Sequence, residues 1–82
     1  MIMELNISPT CPHVLGTIFT DEGQKVAFFR SSIDDTPLQV QEYAEKYELK
    51  DCYVRGPRSY AEFILEYNLM EKFTKNLNFF YI

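Results

Sequence analysis

Eighty-two residues suffice for one domain with one core, and 46% hydrophobic with 16% aromatic content excludes a disordered or collagen-like chain. A net charge of −4 withholds the cationic surface that general binding to nucleic acid or anionic membrane requires, and no run approaches the ~18 apolar residues of a membrane span. The opening Met1–Asn6 lacks the basic and long apolar regions of a signal peptide, so Cys11 and Cys52 are expected as reduced thiols in the cytoplasm.

Residues 2–7 alternate, with Met3, Leu5 and Ile7 against Ile2, Glu4 and Asn6, which predicts a half-buried first strand. Ser8-Pro-Thr-Cys-Pro-His13 follows, and its two prolines predict a loop. Val14 to Thr20 and Gln24 to Arg30 then read as a hairpin. Thr20-Asp-Glu-Gly-Gln24 supplies a type I turn closed by Gly23 in the left-handed region. Both strands are apolar on two sides. Each is therefore expected as an interior strand covered on both faces, or covered on one and paired with a partner on the other.

Ser31-Ser-Ile-Asp-Asp35 leads into a helix with Thr36 as N-cap, Pro37 at the first position and Gln39 completing a capping box. Val40, Tyr43, Ala44 and Tyr47 form its buried stripe, while Gln41, Glu42, Glu45 and Glu48 face water. A short buried strand, Asp51–Arg55, breaks at Gly56. A second helix opens with Pro57 at its first position and runs to about Lys72, with a stripe of Tyr60, Phe63, Ile64, Tyr67 and Met70 broadened by Leu65 and Leu69. Leu77–Ile82 is a last apolar run of strand character. It is expected to pair as an edge strand or to join a second chain.

One domain of α/β (α+β) class follows, residues 1–82, with the order β-β-β-α-β-α-β and two helices packed on a small mixed sheet. The helical crossover makes the third and fourth strands parallel. This layout resembles the ribonuclease H-like fold, including its compact S11 version among ribosomal proteins, where a strand also enters a Gly-Pro turn that opens a helix, as Val54-Arg-Gly-Pro57 does. The resemblance implies fold and not catalysis. Nucleases of this fold hold metal with carboxylates from the first strand and from the end of the fourth, whereas here the first strand offers only Glu4 and Asp51 begins the fourth.

Ligands of open α/β sheets favour the carboxyl ends of parallel strands. That edge is expected to gather Arg30, Ser31, Ser32, Arg55, Arg58, Ser59 and His13. Arg30, Arg55, Arg58 and Ser59 beside a helix N-terminus make a candidate anion site. The plainer reading leaves Arg55 and Arg58 solvated or pairs them with Asp34, Asp35 or Asp51. Asp34 and Asp35 themselves suit the N-terminal end of the first helix dipole. Two cysteines and one histidine are too few for a structural zinc site, and Cys11 with His13 lacks the geometry of a nucleophile and its base, so no metal, cofactor or catalytic residue is assigned. Thirteen aromatic rings exceed what so small a core can hide. Tyr53, Tyr60, Tyr67, Phe79, Phe80 and Tyr81 are therefore candidate interface residues. The expected function is a small, acidic, non-enzymatic interaction or regulatory protein with a protein partner or as a homodimer, and an anion-binding module is the alternative.

Overall fold

The computed structural model describes residues 1–68, 74 and 76–82. The elements follow the expected order: β1 (Ile2–Asn6), β2 (His13–Phe19), β3 (Lys25–Ser32), α1 (Thr36–Lys46), β4 (Asp51–Arg55), α2 (Arg58–Tyr67) and β5 (Asn78–Tyr81). The strands form one mixed sheet in the order β3-β2-β1-β4-β5. β2 is antiparallel to β1 and β3, whereas β4 runs parallel to β1 and to β5. β3 and β4 thus point the same way, as the crossover requires, but β2 and β1 lie between them.

The β2–β3 hairpin turns as its residues dictate. Gly23 has φ 87, its N–H donates to the Thr20 carbonyl at 2.9 Å, and Thr20 N–H donates to the Gln24 carbonyl at 2.8 Å. The register shift that such a turn produces falls between Ile18 and Phe19.

Both helices lie on one sheet face. Met3, Leu5, Val14, Ile18, Phe29, Cys52 and Val54 line that face and share the core with Val40, Leu49, Ala61, Ile64, Leu65 and Leu77. Gly16 stands directly beneath the Phe29 ring, where a Cβ would meet ring carbon at 2.2 Å. Phe29 in turn stacks on Tyr43 at 4.8 Å, and Tyr43 on Tyr47 at 6.3 Å, which seats α1 over the hairpin. The α1 stripe is therefore as expected.

Its start is not. The N-cap is Asp35, with no side-chain cap bond, and Thr36 lies inside the helix and fully buried. Its hydroxyl donates to the Ser32 carbonyl at 2.7 Å and pairs with the Ser31 hydroxyl at 2.9 Å. A buried hydroxyl needs partners, and the end of β3 supplies them, so the capping box does not form. At the other end Glu48 adopts φ 53, with Glu48 N–H donating to the Glu45 carbonyl and Leu49 N–H to the Ala44 carbonyl. This is a Schellman stop made without glycine, and it delivers Leu49 into the core.

α2 starts one residue later than expected, with Pro57 as N-cap, and it is turned about its axis. Ala61, Ile64 and Leu65 are buried, whereas Phe63 and Tyr67 are 60% and 63% exposed and stack on each other at 6.3 Å. Both faces carry the i, i+3, i+4 spacing of a buried stripe. The face containing Ala61 wins because its small side chain lets the helix close on β4, and because Asn68 on the same face donates to the Ile33 carbonyl at 2.8 Å. The expected continuation to Lys72, with Leu69 and Met70, lies outside the described residues.

The tail is the fifth strand. Asn78 N–H donates to the Lys50 carbonyl and Ile82 N–H to the Val54 carbonyl, which bracket the parallel ladder with β4. The two-sided apolarity of the hairpin has a different outcome from a doubly covered interior. β3 is an edge strand, and the second face of the sheet carries no helix among the described residues.

Candidate functional site

Two regions bear on function, the helix-free sheet face and the end of the sheet where β1 and β4 finish. On the face, pairing aligns Phe28, Thr17, Glu4, Tyr53 and Phe80 in one row across all five strands. Phe28 is 52% and Phe80 46% exposed. Tyr53 stacks on Phe80 at 5.4 Å, and the Lys25 ammonium sits 5.8 Å from the centre of the Phe28 ring. In mid-row the Arg55 Nε–H donates to Glu4 Oε1 at 3.0 Å, joining neighbouring parallel strands.

The six rings singled out as interface candidates therefore divide. Tyr53 and Phe80 share the open face, and Tyr67 is exposed on α2. Tyr60, Phe79 and Tyr81 pack against the core. Phe28 and Phe63, both more exposed than Phe80, are the rings that the sequence reading missed; their strand and helix patterns read as two-sided or buried.

The expected basic rim is dispersed. Arg30 lies on β3, three strand spacings or roughly 14 Å from Arg55 on β4. Ser31 points into the core and bonds Thr36. Arg58 donates to Glu62 Oε1 at 2.7 Å one helical turn on, and its guanidinium lies 5.2 Å from the centre of the Tyr81 ring. Ser59 is exposed on the first turn of α2. The arginines do pair with carboxylates, but with Glu4 and Glu62 in place of Asp34, Asp35 or Asp51.

What the fold does assemble at this edge is a cleft of about 280 Å³ whose lining includes Asn6, Ser8, Cys11, His13, Arg55 and Gly56. β1 and β4 end there side by side, with Ile7 N–H donating to the Arg55 carbonyl at 3.0 Å. The chain then leaves in opposite directions, from β1 toward β2 and from β4 through α2 toward β5. Gly56 makes the crossing possible. It has φ 145, and a Cβ there would stand 2.1 Å from the Ile7 carbonyl oxygen.

Cys11 is half-buried beside this cleft. Cys52 faces the core, where burial alone pushes its thiol well above the ordinary 9.0. A wider depression of about 870 Å³ lies beneath α1, with Glu45 and Glu48 opposed by Lys50. Among the described residues no three His, Cys, Asp or Glu side chains converge to hold a metal, and no helix is long and apolar enough to cross a membrane. Compared with protein-family models and with curated proteins, the chain matches none.

Proposed function

We propose that this chain is a small interaction protein whose helix-free sheet face docks a second copy of itself, sheet against sheet. The observation that carries the reading is the row of Phe28, Tyr53 and Phe80 across a sheet whose other face bears both helices. Parallel strands such as β1, β4 and β5 are ordinarily covered on both faces.

Two further features favour a like partner. Lys25, Arg30 and Arg55 on or beside the face outnumber Glu4 and Asp51 by one, although the whole chain carries −4. Two copies meeting here avoid the repulsion that two acidic surfaces would suffer. Five strands of about five residues give a flat footprint of roughly 400 Å². Side-chain relief raises the accessible area above that, toward the ~800 Å² per partner of a standard interface. A two-fold axis parallel to the strands brings Phe28 of each copy over Phe80 of the other. The acidic flank of α1, with Glu42, Glu45 and Glu48, stays in water.

The test is mass in solution by light scattering after size exclusion, over a micromolar to millimolar series. The expected result is a particle of twice 9.7 kDa for the native chain, and a folded monomer when Phe28→Asp and Phe80→Asp are combined. A native chain that stays monomeric throughout defeats the reading.

A further inference from the structure

We infer that the cleft at the ends of β1 and β4 is a binding site for a small oxyanion, a phosphate or carboxylate group held by Arg55 and His13. The position comes first. Where adjacent parallel strands end and their connections depart in opposite directions, no chain crosses the gap, and an open α/β sheet leaves a crevice there. β1 and β4 are that pair, and the crevice is present at about 280 Å³, a size suited to one small group.

Charge comes second. Twelve of the 82 residues are acidic, yet among the described residues none of them lines the cleft, whereas Arg55, His13, Asn6 and Ser8 all do. Glu4 lies one sheet row away and engages the guanidinium through Nε alone. The two terminal amino groups of Arg55 remain without a protein partner among the described residues, and they form the fork that meets two oxygens of one anion. The Glu4 contact fixes the orientation of that fork. The His13 ring also makes no hydrogen bond among the described residues. Asn6 Nδ2 donates to Glu4 at 3.5 Å, and the Ser8 hydroxyl pairs with Thr10 at 2.9 Å, so both flank the site from already ordered positions.

This site is distinct from a helix-start site. Arg58 and Ser59 do not line it, and Arg58 is held by Glu62. Nor does it rest on self-association, since every lining residue comes from one chain.

The test is an amide and imidazole NMR titration with inorganic phosphate and, separately, with acetate, at constant ionic strength. The expected result is saturable shifts confined to Asn6, Ser8, Cys11, His13, Arg55 and Gly56, weakened about tenfold in Arg55→Gln and in His13→Gln, and unchanged in Arg58→Gln. The same spectra show whether each variant is folded. Saturation by phosphate alone assigns the site to a phosphoryl group, and saturation by both assigns it to oxyanions in general. Absence of saturable shifts with either anion overturns the site. So does a loss in Arg58→Gln equal to that in Arg55→Gln. The monomeric Phe28→Asp, Phe80→Asp variant is expected to bind at least as tightly as the native chain, because Arg55 borders the docking face, and binding by a folded monomer separates this inference from that face.

Discussion

At the scale of single residues, burial decides chemistry more than residue type does. Cys11 and Cys52 are both free, but one is half-buried at a cleft and the other sits fully inside the core. A thiolate in that core would be desolvated, so the Cys52 thiol is raised and stays protonated. Above the ordinary 9.0 the unfolded chain releases the Cys52 proton while the folded chain keeps it. Stability is therefore complete below that pH and falls as pH rises beyond it. A disulfide reagent at mildly alkaline pH is expected to titrate one thiol, Cys11, in the folded protein, and the second only in denaturant. Rapid reaction of both in the folded state would contradict the burial of Cys52. Cys52→Ala is expected to reduce the alkaline decline in Tm.

At the scale of elements, α2 is the informative case. Tyr60, Phe63, Ile64 and Tyr67 are spaced for a buried stripe, and so are Ala61, Ile64, Leu65 and Asn68. Hydrophobicity favours the first set. Contact distance favours the second, because a helix with Ala61 at its seat approaches β4 more closely than one seated on the rings of Phe63 and Tyr67. Ile64→Ala is accordingly expected to cost about 2–4 kcal/mol in denaturant unfolding, and Phe63→Ala less than about 1 kcal/mol. Reversed magnitudes would restore the aromatic stripe. The cap of α1 teaches the same lesson. Thr36 carries a capping residue's chemistry, but tertiary burial redirects its hydroxyl to Ser31 and Ser32.

At the scale of the whole molecule, the last six residues complete the sheet. β5 pairs with β4, and Leu77, Phe79 and Tyr81 add to the core on the helix side while Phe80 turns to the open face. A chain ending at Asn76 strips the ladder from β4 and uncovers Cys52 and Val54. It is expected to lose its cooperative thermal transition by circular dichroism. A truncated chain that melts like the native one would make the tail an appendage.

Much of this was legible in the sequence because it is local. The alternation of Met3, Leu5 and Ile7, the Gly23 turn, the α1 stripe and the short strand closing at Gly56 each depend on neighbours within a few residues, and each stands where the spacing puts it. Tertiary structure alone decided that β1 inserts between β2 and β4, since strand pairing is non-local and periodicity carries no partner's name. That insertion carried Arg30 away from Arg55. It left Arg55 in a cleft with His13 and kept Arg58 outside it. It also set Phe28, Tyr53 and Phe80 in one row, because register along five strands, and not order along the chain, determines which side chains become neighbours.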